Sequence, residues 1–108
     1  MQNSVVEKYI LNVEKNINYS FNNKELITRA ITHSSYAHDN NLDYNYERLE
    51  FLGDAVVELI ITEYLVKQYP DYQEGDLSIL RAYIVNSSTL FDISKKIELN
   101  ANILLGKS

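Results

Sequence analysis

The sequence predicts an all-α fold with several helices, and three observations support that prediction. The 108 residues are enough for one domain with one hydrophobic core. Only three glycines and one proline interrupt them, whereas a turn-rich β fold needs many more. Apolar side chains recur every three or four residues over most of the chain, which is the spacing of one face of an α-helix. Residues 1–108 are therefore expected to form one multi-helix domain.

The first two helices are predicted by apolar spacing and by a capping signal. A first helix is expected over residues 4–17, with the apolar positions Val5, Val6, Tyr9, Ile10 and Val13. Asn22-Asn23 can cap a second helix, because an asparagine side chain accepts a hydrogen bond from a free amide of the first turn. The apolar face of this second helix contains Leu26, Ile27, Ala30 and Ile31. The polar segment 38–46 that follows is expected to be a loop.

A long third helix is predicted from about Tyr46 to Tyr69. Pro70 ends it, because proline has no amide hydrogen and disfavours helical geometry in the residue before it. A turn over residues 71–75 is expected to follow. The long helix is therefore the largest single element of the predicted fold.

Two more helices are expected after that turn. Glu74 or Asp76 can support the start of a fourth helix, and Ser87 or Ser88 can cap a fifth that continues through Ile97. The inward positions of the fourth helix are Leu77, Leu80, Ile84 and Val85. Residues 100–105 form a short apolar segment, and the final Gly-Lys-Ser resembles the entry to a loop. We therefore expect the chain to be part of a longer protein.

Composition excludes several classes of site. The chain has no cysteine, so disulfides and thiolate–metal sites are excluded, and two histidines are too few for a histidine-rich metal site. Any metal must then be held mainly by oxygen. The net charge of −5 is opposite in sign to that of a dedicated nucleic-acid binder. A chain that handles nucleic acid with this charge is expected to do so through metal ions or through a basic region elsewhere.

No signal for a membrane is present in the sequence. No apolar run approaches the ~18 residues of a membrane-spanning helix, and residues 1–4 lack the basic start of a signal peptide. We therefore expect no membrane partner and a cytoplasmic location.

The long helix carries a stripe of four carboxylates. At roughly 100° per residue, they fall within an arc of roughly 80°, and several leucines occupy the opposite side. The stripe consists of Glu47, Glu50, Asp54 and Glu58. Like charges four residues apart repel, so a hard cation such as Mg²⁺ is one explanation, and a solvated acidic face is the other. Spacing alone leaves both open.

Two uncharged residues of the same helix are also unusual. Phe51 falls at roughly +40° from Glu47, on the acidic side, where a large aromatic is exposed unless another chain covers it. Gly53 lies inside the helix at a cost of about 1 kcal/mol relative to alanine, so close approach of a neighbouring backbone is expected there.

Nine consecutive residues, Glu47-Arg48-Leu49-Glu50-Phe51-Leu52-Gly53-Asp54-Ala55, resemble the signature of the ribonuclease III family. The upstream Thr-His-Ser-Ser-Tyr at 32–36 is similar to a second family segment. The downstream Glu-Gly-Asp-Leu-Ser at 74–78, followed by Arg-Ala at 81–82 and Val85, is similar to a third. The order and spacing of all three segments fit, and the resemblance covers essentially the whole chain.

The resemblance implies an all-α endonuclease domain that forms a homodimer and hydrolyses double-stranded RNA with Mg²⁺, which Mn²⁺ can replace, and without a small-molecule cofactor. RNA processing such as ribosomal RNA maturation is the biological role it implies. Glu50 and Asp54 match the catalytic metal ligands. Glu47 and Glu74 match accessory acidic residues, and Phe51 matches an aromatic that inserts into the partner subunit. The role of Glu58 is left unassigned.

The chain departs from the family at its end. The resemblance calls for a further Asp and Glu after residue 108, and for a C-terminal double-stranded-RNA-binding domain. We therefore expect a C-terminally truncated nuclease domain with little or no activity of its own, because two carboxylates bind Mg²⁺ weakly.

Three alternatives remain at this point. The first is a non-catalytic dimerisation or RNA-binding module with the same fold, and the second is a plain helical scaffold with an acidic face. The third is that His33 acts as a catalytic base, although a structural or capping role is favoured for this residue.

Overall fold

The computed structural model describes residues 2–107, and these residues form six α-helices and one short 3₁₀ helix. The α-helices are α1 (Gln2–Ile17), α2 (Lys24–Ala30), α3 (Ser34–Asp39), α4 (Glu47–Gln68), α5 (Glu74–Ile84) and α6 (Ser87–Lys96), and the 3₁₀ helix is Leu99–Asn102. Extended pairing within the described residues is limited to one isolated parallel bridge between Thr32 and Leu104. The predicted all-α fold is therefore confirmed. No described helix combines the length and the apolar character needed to cross a membrane.

The hydrophobic core lies at one end of the molecule, between α1, α2 and the chain that follows α6. Its buried members are Ile10, Val13, Ile27, Ile31 and Leu104. Ile31 and Leu104 are only 1% and 2% exposed. Residues far apart in the sequence thus share one core, which fixes the chain after α6 against α2.

Residues 103–107, which we name the C-terminal strap, form hydrogen bonds with the backbone before α3 and with side chains of α3. The Leu104 amide donates to the Ile31 carbonyl at 2.8 Å, and the His33 amide donates to the Leu104 carbonyl at 3.1 Å. Further along, the Gly106 amide donates to Ser35 Oγ at 2.9 Å. The Lys107 amide donates to a carboxylate oxygen of Asp39 at 2.8 Å. The strap is therefore held by hydrogen bonds along its whole length.

Helices α4 and α5 form an arm that extends from this core, and the molecule measures 55 × 27 × 22 Å. The only residue of α4 that is fully buried in the described structure is Leu65. The side of α4 that the sequence assigned to its leucines is open as well, with Leu52, Val56, Leu59 and Ile60 between 46% and 69% exposed. Within the described residues this apolar side is therefore largely uncovered, and α5 is the helix that packs most extensively on α4.

Three predicted helix starts can be compared with the observed caps. Asn23 accepts from the Glu25 amide at 3.0 Å, and Asp76 accepts from the Gln73 amide at 3.3 Å, as the sequence predicted for α2 and α5. The prediction of a serine cap for α6 is wrong. Asn86 caps this helix one residue earlier, with its side-chain oxygen 2.9 Å from the Thr89 amide. Asparagine is as good a cap as serine, so the first suitable residue is the one used.

The six-residue helix α3 replaces the start of the predicted 38–46 loop. It is short and has no repeated apolar face, so periodicity does not reveal it. Its N-cap is His33, whose Nδ1 accepts from the Ser35 amide at 3.1 Å. The ring of His33 also meets Tyr46 edge-on, with centroids 5.6 Å apart. The structural interpretation of His33 is therefore confirmed.

An ion pair between a buried carboxylate and an exposed ammonium group joins α1 to α2. The Glu14 side chain lies at the edge of the core, where its carboxylate pairs with the Lys24 ammonium group. The same carboxylate accepts from the Phe21 amide at 2.7 Å. The Lys24 hydrogen bond, followed by the Phe21 hydrogen bond, holds the pKa of Glu14 below its ordinary value of 4.5.

This lowered pKa predicts how Glu14 contributes to stability as the pH changes. The contribution is present above pH 4.5, the ordinary pKa in the unfolded chain, and is lost as the pH falls through the lower pKa of the folded state. Glu14→Gln should therefore lower the melting temperature at pH 7 and match the unaltered protein in strong acid. Melting curves between pH 2.5 and 7 test this, with Glu25→Gln as the control because Glu25 belongs to an exposed ion pair. A Glu14→Gln deficit that grows on acidification would contradict the account.

Candidate metal centre

The four carboxylates of the acidic stripe lie on α4, and all four side chains are exposed. The register of a regular helix places Glu50, Asp54 and Glu58 one above another, about 6 Å apart along the axis. Nothing in α4 breaks this register, since the helix is continuous from Glu47 to Gln68. The predicted stripe is therefore present, and its members differ only in what surrounds them.

Glu58 differs from its neighbours because it has a cationic partner. The Nε of Arg81, on α5, lies 3.6 Å from the carboxylate of Glu58. Within the described residues, the carboxylates of Glu50 and Asp54 have neither an ion pair nor a hydrogen bond. The repulsion that the sequence predicts along the stripe is thus relieved by the protein at Glu58 but not at the other two positions.

Glu47 lies at the start of the helix, and its surroundings set it apart from the pair below it. Its own amide donates to the Asn45 side chain at 2.9 Å, which satisfies one of the free amides at this end of α4. Glu47 borders a cavity against α2 that also contains Arg29 and Arg48. Glu50 borders a different cavity, next to His33 and the 3₁₀ helix. Glu47 is therefore adjacent to Glu50 on the helix but borders a different cavity.

Glu74 is the first residue of α5, and it is not brought next to Glu50 and Asp54. Its carboxylate accepts from Ser78 Oγ at 2.9 Å. It borders a cavity with Thr62 and Leu65, which are two to three turns beyond Asp54 on α4. The described chain therefore places Glu74 apart from the pair, and its accessory role stays a prediction.

The pair Glu50–Asp54 suits a hard cation by its chemistry. Both side chains offer only oxygen, both are exposed, and both lack a competing partner in the described chain. Mg²⁺ is commonly held by one or two carboxylates and keeps several waters. Within residues 2–107, no group of three or more histidine, cysteine, aspartate or glutamate side chains could hold a metal. The chemistry of Glu50 and Asp54 thus fits a hard cation held by their carboxylate oxygens.

Phe51 and Gly53 lie beside this pair on an open surface. Phe51 is 83% exposed, which makes it more exposed than any other large hydrophobic side chain of the described chain. The predicted close approach at Gly53 is wrong for the described residues, because nothing lies within 4 Å of a Cβ atom built there. Both observations leave Phe51 and Gly53 uncovered by other helices within the described residues.

One feature of the site was not predicted from the sequence, namely the contact of Arg81 with α4. Besides Glu58, its guanidinium donates to Thr62 Oγ1 at 3.1 Å. Arg81 was noted only as part of a sequence segment, because its partners precede it by 19 and 23 residues. No local pattern reports a pairing between two helices.

Comparison with known proteins supports one family. Residues 23–108 match the family model described as Ribonuclease-III-like. The chain is 49% identical over 96 residues to the Ribonuclease 3 of Borreliella afzelii, covering 86% of this chain and 38% of that protein. It is 50% identical over 93 residues to the Ribonuclease 3 of a Sulfurovum species, covering 86% of this chain and 40% of that protein. It thus spans about two fifths of the length of these curated relatives.

The fold is similar to that of a solved nuclease domain of ribonuclease III from Campylobacter jejuni. The two structures align with a TM-score of 0.82 and 41% sequence identity. The alignment covers 91% of this chain and 66% of the other. That structure is described as flexible in a region involved in dimer formation. The likeness therefore extends from the sequence to the arrangement of the helices.

Proposed function

The chain belongs to the ribonuclease III family, and from that premise we propose that it supplies the metal-binding part of an endoribonuclease that cleaves double-stranded RNA. Glu50 and Asp54 are the metal ligands in this proposal, and Mg²⁺ is the metal, which Mn²⁺ can replace. RNA processing, with ribosomal RNA precursors as one substrate, is the role that goes with it. The observation that carries the proposal is the pair itself, which is exposed, in register and without partners in the described chain.

The contribution of the chain is to place two oxygen ligands on a rigid helix. Because both residues lie on one continuous helix, their spacing is set by the backbone and not by flexible loops. When bound, Mg²⁺ would supply a water of lowered pKa and neutralise charge on the phosphodiester. Exposure of both carboxylates leaves room for the sugar–phosphate backbone of a duplex to approach. The bound metal would also let a chain with a net charge of −5 engage the phosphates of the duplex. Duplex RNA is recognised mostly by its shape and its 2′-hydroxyls, and not by base edges.

Cleavage of an end-labelled RNA duplex by the endoribonuclease of which this chain is proposed to be a part tests this function. Cleavage should require Mg²⁺ or Mn²⁺, stop with a chelator, and prefer the duplex over either strand alone. The non-catalytic module is favoured instead if the protein binds the duplex but cleaves neither substrate in any divalent metal. Equal cleavage of single strands would refute the proposed substrate class.

We also propose that the protein forms a homodimer in which Phe51 contacts the partner subunit. An 83% exposed phenylalanine beside polar residues is a poor surface residue for a monomer, and it is well suited to a buried contact between chains. In a two-fold dimer the contact occurs twice, so shortening the Phe51 side chain to alanine removes two contacts. Phe51→Ala should therefore weaken self-association by at least about 30-fold, the effect of one interface hot spot.

Sedimentation velocity over a range of concentrations measures this effect. Leu11→Ala is the matched control, because Leu11 is also an exposed apolar residue, at 64%, on a different helix. Equal dissociation constants for the two variants would refute the assignment of Phe51.

A further inference from the structure

Three carboxylates at equal spacing offer two sites for one cation, and spacing does not choose between them. Asp54 is four residues from Glu50 and four residues from Glu58, so either neighbour could complete a pair. A cation held by Asp54 and Glu58 would lie one turn further along α4. The residue that distinguishes the two sites is Arg81.

Arg81 is fixed on the Glu58 turn by two contacts. Its Nε lies 3.6 Å from the Glu58 carboxylate, and its Nη1 donates to Thr62 Oγ1 at 3.1 Å. Thr62 Oγ1 in turn donates to the Glu58 carbonyl at 2.6 Å. The Arg81 side chain is 39% exposed, so part of it is covered where α5 packs on α4.

The cavity beside this contact has a volume of 370 Å³, and it brings the same groups together. Asp54, Glu58 and Arg81 all line it, whereas Glu50 lines a separate cavity. A divalent cation between Asp54 and Glu58 would thus share a cavity with a fixed positive charge. Like charges at such short range repel, and Glu58 is already neutralised by its partner.

We propose that Arg81 is a positioning residue that selects the metal site, by occupying Glu58 and repelling a cation from the Asp54–Glu58 turn. The metal is thereby directed to Glu50 and Asp54. This inference rests on the proposed function, because it takes that pair as the metal ligands. It also gives Glu58 a role, as the anchor of Arg81 and not as a ligand.

A Mg²⁺ titration that follows the side-chain carboxyl ¹³C resonances tests the proposal residue by residue. In the unaltered protein, Glu50 and Asp54 should shift and Glu58 should not. In Arg81→Gln, Glu58 should shift together with Asp54, and the apparent affinity for Mg²⁺ should rise about three- to tenfold because a nearby positive charge is gone. Arg81→Lys keeps the charge and should keep the pattern of the unaltered protein.

Two further variants separate site selection from a general effect on folding. Glu58→Gln in the Arg81→Gln background should restore the pattern of the unaltered protein, since the second site then lacks a ligand. Arg29→Gln removes the cation of another exposed ion pair. In this variant, Mg²⁺ should shift the Glu50 and Asp54 resonances and leave Glu58 unshifted, as in the unaltered protein. Melting temperatures of each variant without metal confirm that each is folded.

The outcomes are distinguishable. If Glu50 and Asp54 do not shift in the unaltered protein, the proposed metal site fails. If they shift and Arg81→Gln leaves Glu58 silent, only the role of Arg81 fails. The proposed role of Arg81 also fails if Arg81→Gln changes the binding of duplex RNA but shifts no carboxyl resonance. Arg81 would then be a phosphate contact.

Discussion

Replacing Asp54 with asparagine should weaken Mg²⁺ binding by at least about 100-fold, more than is typical for residues that only support a ligand. It should also abolish Mg²⁺-dependent duplex cleavage by the endoribonuclease of which this chain is proposed to be a part. The amide keeps the size of the side chain and one oxygen, but it removes the charge. Because the proposed site takes two carboxylate ligands from this chain, Glu50 and Asp54, the loss of one removes half of the ligand charge at the site. Calorimetric titration with Mg²⁺ and the cleavage assay measure the two effects.

The matched control for this variant is Glu63→Gln. Glu63 also lies on α4, is exposed, and forms an ion pair with Lys67 at 3.7 Å. The Glu63→Gln substitution removes the same charge from the same helix, but on the side roughly opposite to Asp54. If the two variants lose Mg²⁺ affinity equally, then the effect is one of net charge and the assignment of Asp54 as a ligand is wrong.

Gly106→Ala should lower the free energy of unfolding by about 1–3 kcal/mol, the usual cost of forcing an extra methyl group into a packed region. A Cβ atom at this position would lie 2.5 Å from the carbonyl carbon of Ser35, which is backbone and cannot rotate away. The strap would have to separate from α3, and the Gly106 hydrogen bond to Ser35 Oγ would be lost. Urea unfolding followed by circular dichroism gives the difference.

Gly75→Ala makes the same chemical change at an open position. Gly75 lies in the first turn of α5, and nothing is within 4 Å of a Cβ atom built there. This variant should be neutral or more stable by up to about 1 kcal/mol, because alanine is the better helix former. Similar losses for both variants would show that the strap is not packed against α3 as described.

The helices could be predicted from the sequence where the signal is local. Apolar spacing together with an Asn or Asp cap located α2 and α5 within about a residue, and Pro70 marked the end of α4. Helix α3 has too few residues to establish a period. Its cap is a histidine, which is not among the strong capping residues.

The strap could not be predicted, because it pairs residues about 70 positions apart. Residues 100–105 show only a short apolar run, which is compatible with a helix, a strand or an irregular segment. The pairing is decided by the core, since burial of Leu104 against Ile31 brings the two backbones within hydrogen-bonding distance. This is tertiary information that no window of sequence contains.

The candidate site also combines features that the local sequence predicts with features that tertiary packing decides. The register of Glu50 and Asp54 follows from helical geometry, so the sequence was sufficient for it. The roles of Glu58 and Glu74 depend on how α5 packs against α4. The described structure places Glu58 opposite Arg81, a pairing between two helices that periodicity could not indicate, and it places Glu74 beside Ser78, one turn further along the same helix.

The most direct test of the metal site is the anomalous scattering of Mn²⁺ in crystals of the protein. We predict one strong peak on α4, within coordination distance of both Glu50 and Asp54, and no peak beside Glu58. A peak bridging Asp54 and Glu58, or no peak on α4 at a Mn²⁺ concentration that supports cleavage, would contradict the account.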